Sequence, residues 1–75
     1  MENVIRTLIQ KDFTVDMCGM FNDIMLYTVR KPNRLAVGKL YVNVAKNEIV
    51  SVSKSPRIAV MVSEDEAIDF FLTHL

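Results

Sequence analysis

The chain has one cysteine, one histidine and two glycines among its 75 residues, and each scarcity removes a class of chemistry. Cys18 stands alone, so no intramolecular disulfide forms, and a lone thiol fits a reducing compartment better than secretion. His74 lies one residue from the C-terminal Leu75, where a base is poorly held. It would act with Cys18 as base and nucleophile only if the fold joined them, and one His with one Cys falls short of a zinc site. Gly19 and Gly38 are too few and too far apart for a phosphate-cradling loop. No apolar run approaches the ~18–20 residues that span a bilayer. Val4, Ile5, Leu8 and Ile9 are interrupted by Arg6 and Thr7, which is unlike a signal-peptide core. These absences predict a cytoplasmic, non-catalytic protein that uses no cofactor, no metal and no membrane.

What is present is a hydrophobic fraction of 51%, enough for a packed core without a staple and too high for a disordered tail. A chain this short buries only on the order of 60% of its unfolded surface, so residues 1–75 make a single domain with a thin stability margin. Its formal net charge is zero, but the charge is not evenly spread. Arg30, Lys31, Arg34, Lys39, Lys46, Lys54 and Arg57 share the middle with Glu48 as the only acid. Residues 1–29 hold Arg6 and Lys11 against Glu2, Asp12, Asp16 and Asp23, and residues 58–75 hold Glu64, Asp65, Glu66 and Asp69 with no Lys or Arg. A basic middle between acidic ends decides which partners approach which surface and implies no reaction.

The periodicity predicts an α+β domain. Val4, Ile5, Leu8 and Ile9 form one stripe of a helix over residues 2–10. From Asp12 the period becomes two, with Phe13, Val15 and Met17 alternating with Thr14, Asp16 and Cys18 until Gly19 ends a first strand. Ile24 to Arg30 reads as a second strand closed by the turn residues Lys31-Pro32-Asn33-Arg34. Leu35 to Val44 reads as the third and longest, with Leu40, Val42 and Val44 on one face and Lys39, Tyr41 and Asn43 on the other. Lys46-Asn47-Glu48 marks a hairpin into a half-polar fourth strand over Ile49 to Ser53. Ser55-Pro56 ends it, and Ile58 to Val62 is a candidate fifth, buried strand. Ser63-Glu64-Asp65-Glu66 is a capping box, which starts a last helix whose apolar stripe is Ala67, Ile68, Phe71, Leu72 and Leu75. Short turns between strands require antiparallel pairing. The expected architecture is therefore αββββα, a sheet of four to five strands with both helices on one face and the other face wet. The expected core is Val4, Ile5, Leu8, Phe13, Val15, Leu26, Leu40, Val42, Val44, Ile68, Phe71 and Leu72.

Two surfaces are candidates for binding. Arg34, Lys39, Tyr41, Lys46 and Lys54 would make a basic sheet face that holds phosphates and stacks a base, if Lys54, or Ser51 and Ser53, lie beside Lys39 and Tyr41. Lys and Arg at turns also serve to keep sheet edges apart, and the aromatic pattern of an RNA-binding sheet is absent. Asp12, Asp16 and Asp23, or the acids near Ser63, would instead meet a basic surface of a partner that normally holds nucleic acid, while for any single one of them a solvated face is the commoner reason. The acids near Ser63 are explained by helix capping without a bound cation.

The segment Val4 to Val15, above all Lys11-Asp12-Phe13-Thr14-Val15, resembles the opening of small phage anti-CRISPR proteins of the type II-A class, where a helix runs into a Lys-Asp-Tyr-Thr-Val strand. That resemblance covers the first quarter of the chain. It implies a phage-encoded inhibitor acting in the host cytoplasm, whose acidic surface mimics DNA and occupies a CRISPR effector or another nucleic-acid-handling host protein. Asp12 is the one acid it carries over. Beyond Gly19 this chain departs from the pattern, with a basic and more strongly β middle. The runner-up function is a small nucleic-acid-binding or regulatory module, and pairing through an exposed strand would make a homodimer.

Overall fold

The computed structural model describes residues 2–75. Its elements are helix α1 (Glu2–Gln10), strands β1 (Thr14–Phe21), β2 (Ile24–Arg30), β3 (Val37–Asn43), β4 (Glu48–Lys54) and β5 (Arg57–Val60), and helix α2 (Glu64–His74). The strands form one antiparallel sheet in the order β1-β2-β3-β4-β5, so every neighbour in space is a neighbour in sequence. The two helices cover one face, as the α+β pattern predicts.

Local chemistry explains each junction. Asp12, at φ 69°, ends α1: its N–H donates to the Ile9 carbonyl at 3.0 Å and the Phe13 N–H to the Leu8 carbonyl at 2.9 Å. This pair of bonds is a Schellman motif, and its usual hydrophobic contact is supplied by Leu8 and Phe13, both in the core. Asn22, Asn33 and Asn47 hold φ values of 54°, 63° and 54° in the first three of the four strand connections, a conformation that Asn tolerates. The Asn43 side chain accepts from the Lys46 N–H at 3.0 Å and closes the turn between β3 and β4.

The core consists of Val4, Leu8, Phe13, Val29, Leu40, Val42, Ile49, Val52, Ala67 and Phe71. Ile5, Val15 and Ile68 pack against it as partly buried neighbours. Three expected members do not join it. Leu26 pairs with Tyr41, so it points to the helix-free face. Val44 lies beyond the end of β3 and Leu72 lies on the outer side of α2, each more than two-fifths exposed. In their place Val29, Ile49 and Val52 complete the inward rows, and Ala67 allows α2 to approach closely.

Three further expectations are corrected. Gly19 does not end the first strand, because a register shift between Met17 and Gly19 lets β1 run on to Phe21 as the longest strand. The third strand begins at Val37 rather than Leu35, whose side chain is fully exposed. β5 is an edge rather than a buried strand, with Ile58 70% and Val60 65% exposed.

Gly38 sets the distance between sheet and helix. A Cβ at that position would lie 2.7 Å from Cε1 of Phe71 and 3.2 Å from Cδ1 of Leu75. The Phe71 ring is fully buried and has no room to withdraw. Gly38→Ala is expected to destabilise by roughly 1–3 kcal/mol through overpacking, and Phe71→Ala by roughly 3–5 kcal/mol through the cavity it leaves. Gly19→Ala, where no atom lies within 4 Å, is expected to cost far less. Denaturant midpoints check all three.

The capping box forms as predicted: Ser63 Oγ accepts from the Glu66 N–H at 3.2 Å and Glu66 Oε1 from the Ser63 N–H at 3.1 Å. The hydrogen bond from the Ser63 backbone, then that from its side chain, holds the Glu66 carboxyl below its ordinary pKa. A depressed folded-state pKa contributes stability that is present above the unfolded value and lost as pH falls through the folded one. Ser63→Ala is expected to lower stability by about 1 kcal/mol near neutral pH, and Asp69→Ala clearly less. Titrating the melting midpoint below the usual glutamate value of about 4.3 is expected to show a fall that Glu66→Gln reduces.

Candidate functional site

Alternation along each strand, combined with the registers, assigns the helix-free face. One cross-strand row is Gly19, Leu26, Tyr41, Ser51 and Val60, and the next is Asp16, Thr28, Lys39, Ser53 and Ile58. Beyond the first row lie Phe21, Ile24, Asn43 and Glu48, and beyond the second lie Thr14, Arg30 and Val37. Ser51 and Ser53 thus stand opposite Tyr41 and Lys39, as the basic-face expectation requires.

Because an antiparallel meander turns at alternate ends, it sorts the charges into two groups. Lys11, Arg30, Lys31, Arg34, Lys54 and Arg57 lie at or beside the end where residues 31–36 and 55–56 turn, with Lys39 one row inward. Asp12 shares that end. Asp23 and Glu48 lie at the opposite end, where residues 22–23 and 44–47 turn. The start of α2 joins them there, since a hollow lined by Asn47, Glu48, Met61, Ser63 and Glu64 connects β4 to the helix start. Lys46 sits in the turn at this acidic end.

The structure therefore divides both predicted sets. Asp12 and Asp23 lie at opposite ends of β1, separated by roughly 25 Å of strand. Asp16 lies between them and is tied across the sheet to Arg30, with Oδ2 3.3 Å from Nη2 and both side chains 53% exposed. Asp12 owes its place to the Schellman cap. Of the basic set, Arg34, Lys39 and Lys54 gather toward one end, Lys46 is at the other, and Tyr41 is half-buried in the middle of the face.

Two hollows mark this face. The first, about 250 Å³, lies toward the acidic end and is lined by Gly19, Met20, Phe21, Ile24, Leu26 and Tyr41. Phe21, 78% exposed, forms its open wall and is paired directly with Ile24 across the two-residue turn Asn22-Asp23. Its lining is almost wholly apolar apart from the Tyr41 hydroxyl, so it suits an apolar side chain. The second, about 230 Å³, lies at the basic end between β3, β4 and β5, and Lys39, Ser53, Lys54, Ser55 and Arg57 are among its lining residues. The sheet face expected to be simply wet thus carries two recesses, on the order of 15–20 Å apart by strand geometry.

The sheet also keeps Cys18 from His74. Cys18 Sγ donates to Thr28 Oγ1 at 3.2 Å on the helix-free face, while the His74 ring packs against Phe70 in α2 at a centroid distance of 4.6 Å. No cluster of three or more His, Cys, Asp or Glu side chains suited to a metal occurs among the described residues. Among the described residues no helix is long and apolar enough to cross a membrane.

The apolar recess escaped the sequence analysis. A two-residue Asn-Asp turn places the flanking Phe21 and Ile24 opposite each other, and that signal was available. Which face they would occupy depended on the bulge at Cys18, which periodicity does not reveal. Compared with protein-family models, curated proteins and solved structures, the chain matches none.

Proposed function

We propose that this chain is a non-catalytic binding protein that docks on a basic surface of a partner protein through the acidic end of its helix-free face. The observation that carries the proposal is the apolar recess bounded by Phe21, Ile24, Leu26 and Tyr41 beside Asp23 and Glu48. An exposed Phe wall forfeits the ~1.5–3 kcal/mol that its burial would contribute, and a recess with aromatic sides is the form that interface anchors take. The neighbouring carboxylates favour a basic partner surface and speed encounter with it.

Nucleic-acid-handling proteins present such basic grooves. A host protein of that kind, inhibited by occlusion of its groove, is the partner that the anti-CRISPR resemblance of Val4 to Val15 supports. In this proposal the acidic contact falls to Asp23 and Glu48, because Asp16 is paired with Arg30 and Asp12 lies at the opposite end of β1.

The test is capture of a partner from bacterial lysate treated with nuclease, followed by affinity measurement with variants. Phe21→Ala is expected to weaken binding roughly 30-fold, the equivalent of ~2 kcal/mol. Asp23→Lys with Glu48→Lys is expected to slow association, whereas Asp16→Asn and Asp12→Gly, which keeps the left-handed cap, leave it unchanged. Capture that disappears with nuclease, or that survives both the Phe21 and the Asp23/Glu48 changes, would overturn the proposal. So would a homodimer by light scattering that Phe21→Ala dissolves, since the recess would then be filled by a second copy.

A further inference from the structure

Strand β5 closes the sheet, with β4 on one side and an open edge on the other. Lys54 and Arg57 flank the two-residue turn Ser55-Pro56, which makes them a hydrogen-bonded pair, and the bonding phase alternates from there along β5. The Met61 N–H donates to the Val50 carbonyl at 2.9 Å, in keeping with that phase. Arg57, Ala59 and Met61 therefore bond toward β4, and the N–H and C=O groups of Ile58 and Val60 point out of the sheet edge. The side chains of those same residues lie on the helix-free face, 70% and 65% exposed. Natural edges are blunted by charge, proline or a bulge. On β1, the opposite edge, the register shift at Cys18 and the charge of Asp16 do this. On β5 such devices stand only at the ends: Pro56 precedes the strand, and Met61, at φ 51°, turns the chain off it toward α2. Ile58-Ala59-Val60 is left open between them.

We infer that this edge pairs with the same edge of a second copy of the chain, antiparallel about a two-fold axis at Ala59, so that two sheets become one. In that register Ile58 of each copy stands opposite Val60 of the other, and each outward N–H donates to an outward C=O. An axis at Ile58 would instead oppose Val60 to Pro56, which has no N–H, and an axis at Val60 would oppose Ile58 to Val62, beyond the turn at Met61. A slip of one residue would set outward groups against inward ones. The Ala59 register alone uses the whole edge. It pairs the β-branched Ile58 and Val60 directly across the seam on the helix-free face, and it brings the backbones closest at Ala59, the smallest side chain of the strand. Charge favours the same occupant and the same direction. Lys54 and Arg57, in phase with the inward Val52 and Ala59, lie at the basic end on the helix-covered side. Antiparallel pairing lays that end alongside the other copy's acidic end, where Glu64, Asp65 and Glu66 open α2 on the same side. Parallel pairing would set like ends together. A second copy thus meets the edge's hydrogen bonds and the charge of both its ends at once.

Contact through Ile58, Ala59 and Val60 is far smaller than a standard interface, so the dimer dissociates on dilution. Sedimentation of the full chain from ~10 µM to ~1 mM is expected to show a monomer at the low end and a dimer at the high end. Val60→Pro removes an N–H that the monomer leaves unused, and Ile58→Lys places a charge in the open middle of the edge. Each is expected to weaken association at least tenfold, with little change in the melting midpoint of dilute protein. Arg57→Glu, which sets acid against acid, is expected to weaken it several-fold, and less so in high salt. In a Cys18→Ser background, Ala59→Cys is expected to form an interchain disulfide in air and Val60→Cys far less, because position 59 faces itself across the axis. Phe21→Ala should leave the association unchanged, since Phe21 lies on β1 at the opposite edge. A chain still monomeric at ~1 mM, a dimer equally strong in Val60→Pro and Ile58→Lys, crosslinking at Val60→Cys without Ala59→Cys, or a dimer that Phe21→Ala dissolves would overturn the inference. A monomer would leave the docking proposal standing, because that proposal needs only the recess beside Phe21.

Discussion

The Phe71 ring lies against Gly38 on the central strand, and the rest of the structure depends on that contact. It brings α2 to within one ring of the sheet backbone, closes the core over Val29, Leu40 and Val52, and places both helices on one side. A chain of this size has one core to form, and forming it on one face leaves the other face uncovered. The uncovered face is then the largest surface on which residues from five strands lie side by side. Its recesses follow from the same constraint that stabilises the fold.

The meander turns a linear charge pattern into a spatial one. Along the chain, cations fill the middle and acids fill the ends. Folded, the turns alternate between two ends of the sheet, so cations from β2, β4 and β5 meet although they lie far apart in sequence. Asp23 meets Glu48 and the start of α2 for the same reason. Opposite ends of the sheet thereby acquire opposite charge. Asp16 and Arg30 neutralise each other beside the row that separates them.

Much of the fold was legible because the local signals agree with one another. The helix stripe of Val4 and Leu8, the strand from Ile24 to Arg30, the Asn-containing turns and the Ser63–Glu66 box each specify their element through short-range physics, and the first four strands follow from alternation and turn spacing, whereas the run at Ile58 is too short for its period to assign it. What escaped was non-local. The bulge at Cys18 shifts the register of β1 and carries the strand past Gly19. The phase of β2 sends Val29 inward and Leu26 outward, a choice set by pairing with β3 rather than by the run of apolar residues itself. Grouping acids by sequence proximity joined Asp12, Asp16 and Asp23, whereas a strand of eight residues keeps its two ends apart. By contrast, the pairing of Lys54 with Arg57 was readable from the two residues between them, since a hairpin turn of that length places its flanks opposite each other.

The most direct test of the central claim, that the helix-free face is the binding surface, is cross-saturation from a captured partner protein onto side chains of this chain. The effect is predicted to be strongest at Phe21, Ile24, Leu26 and Tyr41 and to fade across Thr7, Asp69 and Leu72 on the helices. Strong transfer to the helices with none to those four side chains would contradict it.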